Sequence, residues 1–263
     1  MIISSKSNSK VKEIRALRQR KGREAAQVFI VEGIRPIGEA VDAGAEIDSI
    51  FYSPDRLHSE FGRNLVVEVS KAGIPCLALS KDVFESISSK ENPQGILAIV
   101  RSNLVSLDHI HPQNFQWGIA LVAPQDPGNI GTILRTIDAV GANGIILLDT
   151  SADPTHPSVV RASMGTIFWY PIVHTNFDDF KIWAQKYEYY VLGTSSHAQE
   201  MIDQVKTYPR PLILLLGSER EGLSKEHLDI CNQVIRLPMH GRATSLNLSV
   251  AAGVFLYDIL FKS

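Results

Sequence analysis

Three short segments carry residue types and spacings that could do chemistry. Gln125–Thr136, QDPGNIGTILRT, follows an apolar run and opens a helical pattern. Gly128 and Gly131 permit a close backbone approach, and a helix start offers free N–H groups to a ligand. Asn129 can donate and accept hydrogen bonds, and Arg135 can hold an anion. Six positions separate the two, so spacing alone does not put them on one helix face. Each also has a plainer reading, Asn129 as a loop or capping residue and Arg135 as an exposed or ion-paired cation.

The second segment, Leu214–Ser224 (LLLGSEREGLS), runs from an apolar strand through Gly217 into a turn, with a helix expected near Ser224. Glu219 is either held beside a ligand there or simply solvated. The segment is neither a GxGxxG fingerprint nor a GxxxxGK[ST] loop, which argues against a dinucleotide-dependent oxidoreductase. The third, Ile235–Ser249 (IRLPMHGRATSLNLS), reads as a strand ending at Pro238–Met239 and a loop through Gly241. Ser245 there reads as an ordinary N-cap of the apolar last helix, Leu246–Phe261. Asn247 is harder to explain as structure, because an amide beside a buried apolar helix needs a partner.

The elements that must position these loops alternate between strand-like and helical throughout. Val28–Val31, Ser49–Tyr52, Pro75–Leu79 and Gly95–Val100 are strand candidates in the first part, with helices expected at 8–21, 34–43, 56–72 and 81–88. Segment 102–116 breaks the pattern and reads as a linker. Strands then resume at Gly118–Ala123, Gly144–Asp149, Tyr170–His174, Tyr190–Thr194, Leu212–Gly217 and Val234–Met239, with Ile130–Val140 helical between the first two. Continuous apolar strands separated by helices imply a mostly parallel sheet covered on both faces. In such sheets ligands bind at the carboxyl ends of the strands, where the three segments lie.

With 263 residues, 44% hydrophobic and 21% charged, the chain suits one or two globular α/β domains rather than a disordered or fibrous protein. No apolar run reaches the length that crosses a bilayer, and the first residues lack the apolar core of a secretory signal. Cys76 and Cys231 are the only cysteines and show no metal-ligand spacing, so no metal is expected and a reducing cytoplasm fits. Net charge is −2, yet Lys6, Lys10, Lys12, Arg15, Arg18, Arg20, Lys21 and Arg23 crowd the first 23 positions with Glu13 the lone acid. That stretch reads as a phosphate-contacting surface or as a solvated helix face.

Taken together and in this order, the three segments resemble the SpoU (TrmH-like) branch of the SPOUT class of S-adenosylmethionine-dependent RNA 2′-O-ribose methyltransferases. Motif one is DPGNIGTILRT, motif two LLLGSEREGLS and motif three IRLPMHGRATSLNLSVA, with RASMGTIFWYPI (161–172) similar to the stretch between them. FIVEGIRPIGEA (29–40) and NPQGILAIV (92–100) resemble the ribosomal-protein-like substrate-binding domain often fused in front. The resemblance implies an α/β chain whose C-terminal domain, 117–263, is a SPOUT trefoil knot. A small RNA-binding domain (1–104) and a linker (105–116) precede it.

It also implies S-adenosylmethionine held by Thr194, Gly217, Leu237, Met239 and Leu246. Leu237 and Leu246 also read as core-packing residues, and the two roles are compatible. Catalysis would rest on Arg135, acting across a homodimer, with Asn129, Glu219, Ser245 and Asn247. A guanidinium stays protonated at working pH, so Arg135 is read as a holder of phosphate and developing alkoxide rather than a simple base. RNA would be bound by Lys10, Arg15, Arg18, Arg20, Arg23, Arg35, Arg161 and Arg242. Ribosomal RNA is favoured over transfer RNA because members with the front domain more often act on it. The alternatives are a tRNA methyltransferase and a noncatalytic RNA-binding or ribosome-assembly protein. One departure from the family is Thr136-Ile137-Asp138, where many relatives carry smaller residues.

Overall fold

The computed structural model describes residues 2–263 and divides the chain into two units, one formed by residues up to Asn103 together with Thr155–Trp169, the other by Leu104–Pro154 and Tyr170–Ser263. In the first unit the chain runs β1 (Ile2–Ile3), α1 (Ser9–Ala16), α2 (Arg20–Ala26), β2 (Val28–Glu32), α3 (Ile34–Asp42), β3 (Ile47–Tyr52), α4 (Glu60–Lys71), β4 (Cys76–Leu79), α5 (Lys81–Glu85) and β5 (Ile96–Arg101). The sheet order is β1-β4-β3-β5-β2, parallel at β1·β4 and β3·β4 and antiparallel where β5 lies between β3 and β2. The β5 run Ile96–Val100 is wholly buried, as a central strand with both faces covered must be.

The basic segment read as one helix over 8–21 is two. Helix α1 stops at Ala16 and α2 restarts at Arg20. The break is stabilised by Arg23, whose Nη1 donates to the carbonyls of Leu17 and Arg18 at 2.9 Å each. These are carbonyls at and just beyond the end of a helix, which require such a donor. Arg23 is only 3% exposed. Its expected place on an RNA surface is therefore corrected: it is an internal strut.

The second unit contains β6 (Leu104–Val105), β7 (Trp117–Val122), α6 (Pro127–Val140) and β8 (Ile145–Leu148). After helix α7 (Pro157–Ser163) follow β9 (Ile172–Thr175), α8 (Phe177–Lys186), β10 (Tyr190–Thr194), β11 (Glu200–Met201), β12 (Leu212–Leu216), α9 (Lys225–Asp229), β13 (Gln233–Arg236) and α10 (Leu248–Phe261). Helix α7, though it lies between β8 and β9 in sequence, groups with the first unit. There Phe168, just after it, stacks on Phe29 with ring centroids 6.1 Å apart, and Trp169 Nε1 donates to Glu39 at 3.3 Å. The expected bounds, which put 155–169 in the second domain, are corrected by this grouping.

The eight-stranded sheet has the order β11-β13-β10-β12-β7-β8-β9-β6, and every pairing is parallel. Strands β7, β8 and β12 are buried along their whole length. The stretch 105–116 is not a free linker. Ile110 and Phe115 are buried in the cluster with Phe180 and Trp183. Trp183 Nε1 donates to the Ile110 carbonyl at 2.8 Å and the Tyr189 hydroxyl to that of Phe115 at 2.6 Å. Mixed polarity in sequence concealed two anchors.

The path past β10 positions the site. From β12 the chain crosses the end of β10 to enter the sheet again as β13, on β10's other flank. It then returns to lay α10 against α6 and β12. Segments 217–224 and 237–247 are thereby brought to the carboxyl ends of β10, β12 and β13.

Candidate active site

Helix α6 begins earlier than its apolar pattern suggests. Asp126 is its N-cap, accepting from Gly128 N at 2.7 Å, and Pro127 takes the first helical position, where its missing N–H costs nothing. Asn129 is consequently not a cap. It sits in the first turn, 5% exposed, and its Nδ2 donates to Glu219 Oε1 at 3.0 Å. The other carboxylate oxygen of Glu219 receives Gln125 N at 3.4 Å. Gln125 Nε2 in turn donates to the carbonyls of Ala123 and Thr150 at 2.8 and 3.1 Å. Glu219 thus ties the first loop to the second, while the Gln125 side chain ties the first to the end of β8. Gln125 was not singled out from the sequence; its place immediately before the helix cap was the available signal.

Arg135 lies on the exposed side of α6, more than two turns in. At 100° per residue it points about 240° around the axis from Asn129, so the two do not converge within one chain.

The second loop is a tight hairpin. Ser218 and Gly222 form an antiparallel bridge, with Gly222 N donating to Ser218 O at 3.1 Å. A Cβ on Gly217 would fall 2.0 Å from the Gly222 carbonyl carbon, so only glycine fits where the hairpin closes on itself. Ser224 caps α9, and His227 returns the capping interaction by accepting Ser224 N on Nδ1 at 3.1 Å. Burial lowers the His227 pKa, outweighing the opposite pull of Asp149 and Glu226. A neutral ring is what the cap needs, because a protonated Nδ1 cannot accept.

The third loop starts sooner than expected, since β13 ends at Arg236. Here the sequence reading of the two polar residues is reversed. Asn247, not Ser245, caps the last helix, its Oδ1 accepting Ser249 N at 2.9 Å and Ser249 Oγ at 2.7 Å. The helix start itself is the partner that the Asn247 amide requires. Ser245 is exposed in the loop before it.

These loops enclose a cavity of about 550 Å³. Thr194, Gly217, Leu237, Met239 and Leu246 all line it, as do Glu219 and Ser245. Asn129, Arg135 and Asn247 do not. Met239 and Leu246 are 37% and 40% exposed, so the core-packing alternative does not hold for Leu246. Leu237 is half-buried. The volume falls within the range of roughly 300–1,000 Å³ of small-molecule sites. Apolar side chains with backbone groups at strand ends suit a flat heteroaromatic ligand carrying a polar tail.

None of the remaining basic candidates lines this cavity. Lys10 pairs with Glu13 at 2.8 Å and Arg20 with Glu24 at 2.7 Å. Arg15 donates to Lys6 O and Ser86 Oγ at 3.0 Å each, and Arg18 donates to the Ile87 carbonyl. Arg161 donates to Ser158 Oγ at 3.3 Å. Arg35 and Arg242 are exposed. Asp138, two residues past motif one, accepts the Tyr170 hydroxyl at 2.9 Å.

Two family models match the chain, that of the SpoU rRNA Methylase family over residues 116–257 and that of the MRM3-like substrate binding domain over residues 8–98. The chain is 32% identical over 250 residues to a 23S rRNA (uridine(2479)-2′-O)-methyltransferase of Streptomyces viridochromogenes, covering 92% of this chain and 85% of that one. It is 29% identical to the 23S rRNA (guanosine(2553)-2′-O)-methyltransferase of Bacillus subtilis, with 98% of each covered. The AdoMet-bound rRNA methyltransferase of Sinorhizobium meliloti superposes with a TM-score of 0.90 at 34% identity, covering 98% of this chain and 97% of that one.

Proposed function

Because the chain belongs to the SpoU rRNA methylase family, we propose that its three strand-end loops form the active site of an S-adenosylmethionine-dependent RNA 2′-O-ribose methyltransferase acting on ribosomal RNA. The enzyme class, cofactor and rRNA preference agree with relatives that match along nearly the whole chain. The observation that carries the site is the single cavity lined by Thr194, Gly217, Leu237, Met239 and Leu246. Met239, Leu237 and Leu246 would cover the adenine, and the loop backbones around Gly217 would take its polar edge and the ribose. When bound, S-adenosylmethionine supplies an electrophilic methyl group on a sulfonium.

The chain's own residues must do the rest. A ribose hydroxyl is a poor nucleophile, so its proton has to leave and the charge on its oxygen has to be met. Arg135 holds a neighbouring phosphate and faces the developing alkoxide with a fixed, planar cation. The proton passes to water or a neighbouring acceptor. Glu219 keeps the Asn129 amide aimed by accepting from it, and Ser245 contacts the substrate phosphate or Arg135. In-line placement of oxygen and methyl supplies much of the rate.

The site is completed by a second copy of the chain. Helix α10 buries Leu248, Ala252, Phe255, Leu256 and Ile259 but leaves Val250, Val254, Tyr257 and Phe261 exposed at helical spacing. This apolar stripe is the dimer surface, and Arg135 serves the partner's cavity. The described residues include no helix long and apolar enough to cross a membrane. Its substrate RNA puts the enzyme's work in the cytoplasm.

The test is methyl transfer to separate pools of unmodified large-subunit rRNA, small-subunit rRNA and tRNA. Label in the large-subunit pool is expected. Label in tRNA alone would replace the substrate class. Absence of both label and cofactor binding would favour a noncatalytic RNA-binding protein.

A further inference from the structure

We infer that the first unit contains a socket for one unstacked RNA nucleotide, a reading that rests on the RNA substrate proposed above. A pocket of about 210 Å³ opens within this unit, and its lining divides into two chemistries. Ile30, Pro36, Val160 and Met164 give it apolar walls. Arg18, Arg35, Lys90 and Arg161 surround it with cations against one carboxylate, Glu32. An apolar side chain of a partner protein would gain nothing from four cations. A free inorganic anion would gain nothing from apolar walls. A nucleotide presents both faces at once, a flat base and a phosphate. The base is available only from single-stranded RNA, where it can be splayed out of the stack.

The socket is held open in advance. Glu32, at the end of β2, accepts Ser89 N at 3.0 Å and Ser89 Oγ at 2.8 Å as well as Ser88 Oγ, which staples the loop before β5 onto the strand. Lys90 Nζ donates to the Glu32 carbonyl at 3.2 Å. Gly33 makes room for it: with φ at +114°, it would carry a Cβ only 2.9 Å from that nitrogen. Arg161 reaches the pocket from α7, which belongs to this unit. Little rearrangement is then needed when the nucleotide enters.

Two variants separate the halves of the socket. Arg35→Ala removes an exposed cation, and Met164→Ala removes a partly exposed apolar wall of the pocket. Binding of a large-subunit rRNA transcript is measured across a salt series, with Lys71→Ala as a control on another face and S-adenosylmethionine affinity as a check on the second unit. Each socket variant is expected to weaken RNA binding about tenfold, the scale of one stacking or phosphate contact. Arg35→Ala should lower the salt slope by about one, and Met164→Ala should leave it unchanged. A transcript substituted with 4-thiouridine should also crosslink to the Pro157–Met164 peptide, which tests the parent chain without mutation. Parent-like binding by Met164→Ala, or no crosslink in that peptide while RNA is still methylated, would overturn the socket alone. Failure of the parent to bind any rRNA would overturn the RNA reading and the socket with it.

Discussion

The Asn129 amide and the Glu219 carboxylate meet at 3.0 Å across 90 positions of sequence. This contact, with the second carboxylate oxygen on Gln125 N, sets the relative position of the first two loops. Glu219→Ala should leave the buried Asn129 amide without its acceptor, at a cost of about 1–3 kcal/mol. A melting-temperature drop with a larger fall in kcat than in cofactor affinity is the expected outcome. Glu219→Gln, which can still accept through its amide oxygen, should recover part of both.

Gly217 is set by its own hairpin. A methyl group there overlaps the backbone at Gly222, which cannot move aside as a flexible side chain can. Gly217→Ala should lower S-adenosylmethionine affinity, measured by titration calorimetry, and lower the melting temperature through the same overlap. Unchanged affinity would remove Gly217 from the cofactor site.

The His227 cap makes the second loop sensitive to acid. The folded-state pKa lies below the ordinary value of about 6.5. The unfolded chain therefore binds the proton first as pH falls. The stabilisation is fully present above about 6.5 and is lost as pH falls from there through the folded pKa. Melting temperature and cofactor affinity should both decline over that window. His227→Gln, which can form the same capping box without titrating, should flatten the decline.

The stripe on α10 gives the dimer prediction. Tyr257 and Phe261 lie with ring centroids 6.0 Å apart on the face that the fold leaves uncovered. Tyr257→Glu should convert a dimer to a monomer in sedimentation velocity, with activity lost in parallel because Arg135 then has no partner site. A monomeric parent, or a fully active monomeric variant, would contradict the shared site.

Much of this was legible in the residues. The buried strands announced themselves through continuous apolar runs, and Tyr190–Thr194 appears with the bounds its sequence suggests. The cavity-lining positions came through resemblance, because nothing in the spacing of Thr194, Gly217 and Leu246 joins them; only the crossing from β12 over β10 to β13 does. Capping went astray where two polar residues competed, as with Ser245 and Asn247. Arg23 was misjudged because a guanidinium aimed at internal carbonyls looks in sequence like any other in a basic run. The excursion of α7 into the first unit depends on contacts such as Phe29 with Phe168, which no local pattern encodes.

The most direct test of the central claim follows the labelled methyl group to its atom and asks whether Arg135 places it there. A methyl on the 2′-oxygen blocks alkaline cleavage at that nucleotide, because that oxygen is the internal nucleophile. Large-subunit rRNA treated with the parent enzyme should release label in alkali-resistant dinucleotides. Arg135→Ala should transfer label at least about a hundredfold more slowly, the scale of losing one preorganised charge stabiliser, with cofactor affinity unchanged. Arg135→Lys, which keeps the charge but loses the planar fork, should stay well below the parent. Label released in methylated mononucleotides, or near-parent turnover by Arg135→Ala, would contradict the account.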